Sequence, residues 1–258
     1  MEIIIPVVIV GIIGLIAGVG LSLASKFMSV PADEKQQKIR DALPGANCGA
    51  CGYSGCDGYA AALAAGEAAP DKCAPGGTES AAKLSEILGV EVVSEPKTAF
   101  IACGGNREVT RLKYGYEGML SCAAASLVSA GPLECEFGCI GFGDCAKVCP
   151  FGAITVDNGR PAVCGDLCVG CGKCVSACPK SLISLLPVSA KVRVVCSSTE
   201  KGAAAAKACG KACIACKMCE KVCESGAIKV DGNLARIDYS LCTSCGKCRE
   251  VCKRGIIV

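Results

Sequence analysis

Cysteine is the residue type that carries the chemistry of this chain. Twenty-five of its 258 residues are cysteines, and many of them are separated by only two or three residues. Three thiolates in one tight loop can bind three irons of a [4Fe–4S] cubane, and a fourth on the following helical turn can complete a neighbouring cluster. The spacing therefore predicts iron–sulfur clusters that transfer electrons.

Four cysteine runs lie in the second half of the chain. They are Cys135-x3-Cys139-x5-Cys145-x3-Cys149, Cys168-x2-Cys171-x2-Cys174-x3-Cys178, Cys213-x2-Cys216-x2-Cys219-x3-Cys223 and Cys242-x2-Cys245-x2-Cys248-x3-Cys252. The first run is looser than the other three, which have the spacing of bacterial two-cluster ferredoxins. We expect the last cysteine of each run to complete the cluster of the partner run. The predicted ligand sets are Cys135, Cys139, Cys145 and Cys178; Cys149, Cys168, Cys171 and Cys174; Cys213, Cys216, Cys219 and Cys252; and Cys223, Cys242, Cys245 and Cys248.

A fifth group of cysteines stands apart, nearer the N-terminus. It consists of Cys48, Cys51, Cys56 and Cys73, with glycine and alanine between the first two. Such small residues allow the backbone to approach a bulky cluster, which favours a [4Fe–4S] site over the alternative, a zinc knuckle. For the four runs, zinc is disfavoured because a zinc site needs two C-x2-C pairs rather than a third cysteine at the next step. The sequence thus predicts five [4Fe–4S] clusters on twenty cysteines.

Five cysteines remain outside these sets. They are Cys103, Cys122, Cys164, Cys196 and Cys209. A free cysteine is often a small buried apolar residue. The alternative is that Cys103 meets Cys122, and Cys196 meets Cys209, to perform redox or ligand chemistry.

The runs belong to two related blocks, which indicates a duplicated module. Each block opens with an apolar, strand-like segment ending in a cysteine, at Cys103 and at Cys196. Further short strands are predicted after the runs, at 153–156, 181–186, 227–230 and 255–258. The predicted fold class is α+β: a transmembrane anchor at 1–26, a small helical [4Fe–4S] domain at 27–96, and two bacterial two-cluster ferredoxin-like modules at 97–188 and 189–258.

An uncharged stretch near the N-terminus predicts one membrane-spanning helix. It contains 23 residues, from Ile3 to Ser25, between Glu2 and Lys26, and about 20 apolar residues suffice to cross a bilayer. The acidic start and the length of the apolar segment argue against a cleavable signal peptide. Basic residues follow the span at Lys26, Lys35, Lys38 and Arg40. By the positive-inside rule, we expect a single-pass inner-membrane protein with its N-terminus outside and its iron–sulfur body in the cytoplasm.

Several functional classes are excluded by what the sequence lacks. It has no histidine, which removes the usual haem and Rieske ligands and most catalytic zinc sites. No phosphate-binding loop or dinucleotide-binding glycine motif is present, and no basic patch supports nucleic-acid binding. An odd number of cysteines at C-x2-C steps also argues against a disulfide scaffold. No catalytic residues are therefore predicted, only electron carriers.

The order of these parts resembles the B subunit of the Rnf complex, the ion-translocating ferredoxin:NAD oxidoreductase. The resemblance covers essentially the whole chain, and its specific matches are the N-terminal span, LPGANCGACG at 43–52 and GCIGFGDC at 138–145. It implies cluster ligation by the twenty named cysteines. It also implies a subunit of a translocase that takes electrons from reduced ferredoxin and passes them to membrane and flavin- or NAD-binding partner subunits. In one departure, Glu224 and Lys253 stand where ferredoxin runs usually place proline.

Two other functions compete with this one. The chain could be a polyferredoxin subunit of a hydrogenase or of a carbon monoxide dehydrogenase system, because the Cys48–Cys73 motif also resembles the cluster site of a corrinoid iron–sulfur protein. A large cofactor domain, which that corrinoid protein would need, has no room here. An iron–sulfur assembly scaffold is the other competitor, and the predicted membrane span argues against it.

Overall fold

The computed structural model describes residues 4–27, 33–92 and 95–258. Its first element is helix α1, Ile4–Phe27, which overlaps the predicted span; Ile3, where that span begins, lies outside the described residues. The side chains of α1 are described at positions 11–23. Within the described part of the chain, no helix combines the length and the apolarity needed to cross a membrane.

Three helices pack together in residues 33–92. They are α2 (Glu34–Ala42), α3 (Cys56–Ala64) and α4 (Gly77–Leu88), with a 3-10 turn at Ala74–Gly76. The Asp33 side chain begins α2 by accepting a hydrogen bond of 2.9 Å from the Lys35 N–H, as an N-cap residue does. Ile39, Leu63 and Leu84 are buried in the core between the helices. This core fixes both ends of the loop that connects α2 to α3.

The next part of the chain combines short helices with paired strands. Its elements are β1 (Lys97–Ile101), α5 (Cys122–Ser126), α6 (Asp144–Lys147), β2 (Ile154–Asp157), β3 (Arg160–Val163), α7 (Lys173–Ala177) and β4 (Ile183–Pro187). Strand β1 pairs antiparallel with β4, with Ile101 opposite Ile183. Strands β2 and β3 form a hairpin through Asn158 and Gly159, whose φ angles of 47° and 72° suit a two-residue hairpin turn.

The last part of the chain repeats this order. Its elements are α8 (Gly202–Ala208), α9 (Met218–Lys221), β5 (Ile228–Asp231), β6 (Leu234–Ile237) and α10 (Lys247–Glu250). Strands β5 and β6 form the equivalent hairpin, and a single antiparallel bridge between Val194 and Ile257 stands where the first part has the β1–β4 pair. Strands β2, β4 and β5 lie at predicted positions, whereas β3 and β6 were not predicted.

The two parts are joined by hydrogen bonds close to Cys103 and Cys196. The Gly104 N–H donates to the Val195 carbonyl at 2.8 Å, and the Ser197 hydroxyl donates to the Ala102 carbonyl at 2.5 Å. An antiparallel bridge also connects Thr110 with Cys209. The strand-like segments that open the two blocks therefore meet at one junction.

Candidate iron–sulfur centres

One local geometry recurs after each of the four cysteine loops. Helices α6, α7, α9 and α10 are four or five residues long, and each carries a buried cysteine at its second position: Cys145, Cys174, Cys219 and Cys248. A residue with positive φ precedes each helix: Gly143, Gly172, Lys217 and Gly246. This left-handed residue reverses the chain, so that the loop and the helix enclose a small space. Lys217 adopts it at a cost of about 1–2 kcal/mol, because it has a Cβ atom and glycine does not.

In the last part of the chain, both predicted sets surround cavities. The Cys213 set, which is Cys213, Cys216, Cys219 and Cys252, lines one cavity. The Cys242 set, which is Cys223, Cys242, Cys245 and Cys248, lines another. In each set, one run contributes three thiols and the other run contributes the fourth. This is the exchange of fourth cysteines expected from the spacing.

The Cys168 set (Cys149, Cys168, Cys171 and Cys174) gathers around the core of the first part. Cys149, Cys168 and Cys174 pack in one apolar cluster with Ile154 and Ile183. Burial, followed by the neighbouring thiols of Cys171 and Cys168, raises the pKa of Cys174 to about 11. The three thiols of the Cys168–Cys174 loop are therefore close enough to interact when ionised.

The looser run departs from the predicted grouping. Cys139, Cys145 and Cys178 line one cavity together with Cys122, whereas Cys135 lines a different cavity. Cys122, rather than the predicted Cys135, therefore lies at the cavity of Cys139, Cys145 and Cys178. We call Cys122, Cys139, Cys145 and Cys178 the Cys122 set.

Phe142 explains why a thiol from outside the run lies at this cavity. The step from Cys139 to Cys145 equals the step from Cys213 to Cys219, but Phe142 replaces the middle cysteine of the regular run. Phe142 instead packs with Cys122 and Ile140. Aligning the looser run with a regular one would have revealed the missing thiol, but spacing alone does not indicate that Cys122 supplies it.

A hydrogen-bonded clamp holds the Cys122 segment against α6. The Asp144 carboxylate accepts from the Ser121 hydroxyl at 2.8 Å and from the Ala123 N–H at 3.0 Å. Burial alone would raise the pKa of Asp144, but these hydrogen bonds outweigh it and lower the pKa below its usual value. Lys147 Nζ lies 3.6 Å from Asp144 and donates to the Leu120 carbonyl at 2.9 Å. Cys122 is thus fixed by contacts on both sides.

The N-terminal set is formed by the loop before α3 and by the 3-10 turn. Cys56 is the first residue of α3, and its N–H donates to Asn47 Oδ1 at 2.9 Å. Burial, followed by repulsion from the thiols of Cys56, Cys51 and Cys48, raises the pKa of Cys73. All four predicted thiols of this set are therefore near neighbours.

Backbone N–H groups point at thiol sulfurs throughout the ferredoxin-like parts. The donors are Ala99 to Cys168 at 3.3 Å, and Ala153 to Cys149, Leu182 to Cys178 and Ser244 to Cys242 at 3.4 Å. Hydrogen bonds to the sulfurs are one of the ways in which a protein stabilises a cluster and sets its reduction potential. Cavities bordered by four thiols and supplied with such donors fit a [4Fe–4S] cluster, whose irons neutralise the repelling thiolates.

The zinc alternative requires thiols that converge on one point, with Zn–S distances of about 2.3 Å. In the residues that the structure describes, no three cysteine or carboxylate side chains are arranged to hold a single metal ion. The thiols border cavities instead.

The five cysteines outside the predicted sets have different surroundings. Cys164 is exposed, and Cys122 belongs to the set described above. Cys103, Cys196 and Cys209 line the same cavity as Cys135. Cys103 and Cys122 therefore border different cavities, whereas Cys196 and Cys209 border the same one.

Three family models match separate parts of the chain. Residues 43–75 match a family described as "Putative Fe-S cluster". Residues 138–183 and 212–256 each match a 4Fe-4S dicluster domain. The matches cover the N-terminal set and all cysteines of the four runs except Cys135.

Curated proteins similar to this chain carry related names. The B subunit of the Na(+)-translocating ferredoxin:NAD(+) oxidoreductase complex of Acetobacterium woodii is 44% identical over 92% of this chain and 72% of its own length. The B subunit of the proton-translocating ferredoxin:NAD(+) oxidoreductase complex of Clostridium ljungdahlii is 44% identical over 91% of this chain and 84% of its own length. The B subunit of an ion-translocating oxidoreductase complex of Methanosarcina acetivorans is 38% identical over 88% of this chain and 86% of its own length.

Proposed function

This chain belongs to the family of B subunits of ion-translocating ferredoxin:NAD oxidoreductases, the Rnf complexes, and we propose that it accepts electrons from reduced ferredoxin. It is an iron–sulfur electron-transfer subunit of such a complex, and the complex is a translocase. We propose that its clusters relay the electrons to partner subunits, which hold the NAD and flavin sites.

The exchange of fourth thiols between neighbouring runs is the observation that carries this proposal. It brings each pair of runs together around two sites, as in the Cys213 and Cys242 sets. A bound [4Fe–4S] cluster supplies reversible one-electron transfer. We assign one cluster to the N-terminal set and one to each set of the four runs, with Cys122 in the place first predicted for Cys135.

The donor is proposed to dock beside the Cys213 set. Cys216 is an exposed thiol of this set, so an electron entering there would cross little protein. Lys217 and Lys253 are exposed and line the same cavity. A positive rim of this kind favours an acidic electron carrier such as ferredoxin and accelerates its association.

Charge reversal at this rim tests the proposed donor. In the purified complex, Lys217→Glu/Lys253→Glu should raise the KM for reduced ferredoxin about tenfold or more in NAD reduction, most strongly at low ionic strength where screening is weak. Reduction of the clusters by dithionite should not change. Lys35→Glu/Lys83→Glu, on the N-terminal helices, is the matched control. Equal KM values for both double variants would refute the docking site, and a wild-type complex that cannot oxidise ferredoxin would refute the function.

We also propose that α1 anchors the chain in the cell membrane, with the cluster-bearing body on the cytoplasmic side. The support is the stretch of 23 uncharged residues in the sequence. As a helix rising 1.5 Å per residue, this stretch would extend about 35 Å, against a hydrocarbon thickness of about 30 Å. The basic residues after α1 support the orientation. The remaining proposed domains are 27–96, 97–188 and 189–258.

Charged residues within α1 should detach the chain when it is expressed without its partner subunits. Ile12→Lys/Ile16→Lys places two charges at the centre of the proposed span, where each costs about 2.5–3.5 kcal/mol. Alkaline carbonate extraction should then move the chain from the membrane pellet to the supernatant. Leu167→Lys, at an exposed apolar residue of the body, should leave it in the pellet. Retention of the double variant in the pellet would contradict the anchor.

A further inference from the structure

We propose that this chain carries a sixth [4Fe–4S] site, at the junction of its two ferredoxin-like parts. Its ligands are Cys103 and Cys135 from the first part and Cys196 and Cys209 from the second. We call these four residues the junction set. None of them is a ligand in the sets that the structure groups around the four runs or at the N-terminus.

The four thiols of the junction set border one cavity, which has a volume of about 30 Å³. The cavities of the Cys122 and Cys242 sets have volumes of about 20 Å³ each. The junction cavity is thus at least as large as two cavities that match ferredoxin cluster sites.

Internal duplication accounts for the composition of the junction set. Cys103 and Cys196 end the equivalent strand-like segments of the two blocks, and Cys135 precedes Cys139 by the same four positions as Cys209 precedes Cys213. Each part therefore contributes an equivalent pair of cysteines. Cysteines without a shared function would not be expected to occupy equivalent positions in both parts.

The sulfurs of the junction set receive the same N–H donors as those of the ferredoxin sets. The Cys139 N–H donates to Cys103 Sγ at 3.4 Å, and the equivalent Cys213 N–H donates to Cys196 Sγ at 3.3 Å. The Lys211 N–H donates to Cys209 Sγ at 3.4 Å. Backbone hydrogen bonds of this length occur at Cys149, Cys168, Cys178 and Cys242 as well, so the junction thiols are held like cluster ligands.

Glycine keeps the junction space clear. A Cβ atom at Gly105 would lie 3.4 Å from Cys209 Sγ and 3.7 Å from Cys103 Sγ, and one at Gly138 would lie 3.5 Å from Cys135 Sγ. Lys211 and Arg107 also line the cavity, and their charges oppose the negative charge of four thiolates. The alternative, a disulfide between two of the four thiols, would not account for the other two thiols or for Lys211 and Arg107.

The position of this site gives it a role in the electron path. Cys139 borders both the junction cavity and the cavity of the Cys122 set. Cys213 lines the cavity of its own set and donates to Cys196. The junction site therefore lies between one cluster site of each part and connects them.

Counting clusters in the intact complex tests the proposal without any substitution. Iron and acid-labile sulfide, with native mass spectrometry of the chain released from the anaerobic complex, should give six clusters and about 24 irons per chain. Five clusters, one zinc ion per chain, or a disulfide at Cys103, Cys196 or Cys209 would overturn it. This count does not depend on ferredoxin oxidation, so it fails separately from the proposed function.

Paired variants locate the sixth cluster. Cys103→Ala/Cys196→Ala should lose one cluster, about four irons per chain, and Cys135→Ala/Cys209→Ala should lose the same one. Cys164→Ala, at the exposed cysteine, should lose none. In EPR spectra of the reduced chain, the same signal should be absent from both double variants. Full iron content in either double variant would refute the assignment.

Discussion

The Cys122→Ala variant is expected to lose one [4Fe–4S] cluster, about four irons per chain, although this cysteine lies outside every run. Cys122 is buried and borders the cavity of Cys139, Cys145 and Cys178. Without its thiolate, one iron of the cubane has no protein ligand at this position. We expect ferredoxin-dependent NAD reduction by the complex to fall to background, because one cluster of the proposed relay is missing. Iron quantification and EPR of the reduced complex measure the loss.

A compensating variant makes this test specific. Phe142 occupies the position of the middle cysteine in a regular run, so Cys122→Ala/Phe142→Cys should recover the lost cluster at least in part. Phe142→Cys alone should keep the wild-type iron content, and Cys164→Ala serves as the exposed control. Full iron content in Cys122→Ala, or loss of this particular EPR signal in Cys135→Ala, would favour the ligand set first predicted from the spacing, in which Cys135 and not Cys122 is the fourth ligand.

Gly141→Ala should be among the most destabilising single substitutions in the first ferredoxin-like part. Gly141 has a φ of +84°, and an added Cβ would lie 2.4 Å from the Gly159 carbonyl oxygen and 2.6 Å from Gly159 Cα. Both atoms are backbone, so no side-chain rotation relieves the overlap. Gly159 is part of the tight β2–β3 turn, so the hairpin must move as a whole. We expect a loss of about 4 kcal/mol or more.

Gly152→Ala separates the effect of φ from the effect of the overlap. Gly152 also has a positive φ, of +61°, but no atom lies within 4 Å of the added Cβ, so only the left-handed conformation should cost free energy, about 1–2 kcal/mol. The temperature at which the visible iron–sulfur absorbance is lost, under anaerobic conditions, compares the two. A domain of this size shifts by about 4–8 °C per kcal/mol. Equal transitions in the two variants would contradict the backbone overlap as the cause.

Local spacing indicates which thiols of the regular runs lie together, but it does not indicate a thiol that reaches a cavity from outside the run. The regular runs at Cys213 and Cys242 form the exchanged sets expected of them because both the tight loop and the following helix are encoded within a few residues. Cys122 lies 17 positions before Cys139, and its place depends on the Asp144 clamp, which spacing does not reveal. Likewise β3 and β6 escaped prediction, since each depends on pairing with its hairpin partner.

Family membership and the described sites together distinguish between the functions that the sequence left open. The relatives at 44% identity are named as subunits of ferredoxin:NAD(+) oxidoreductase complexes, not as hydrogenase subunits or assembly scaffolds. Buried thiols such as Cys145, Cys174, Cys219 and Cys248 also suit permanent clusters better than clusters handed on to other proteins. The resemblance seen in the sequence is thereby confirmed at the level of the family.

The exchange of fourth cysteines also determines when this protein can mature during its synthesis. With the proposed ligands, a cubane at the Cys122 set requires Cys178 and one at the Cys213 set requires Cys252, so a nascent chain that ends before these residues cannot complete the corresponding cluster. Until then, the thiols of the earlier loop stay reduced and unligated, because the fourth ligand lies 33 positions after the cysteine on the short helix, Cys145 or Cys219. Iron and sulfide delivery to these sites therefore has to follow translation of each module, and oxygen reaching the nascent chain is most harmful in that interval.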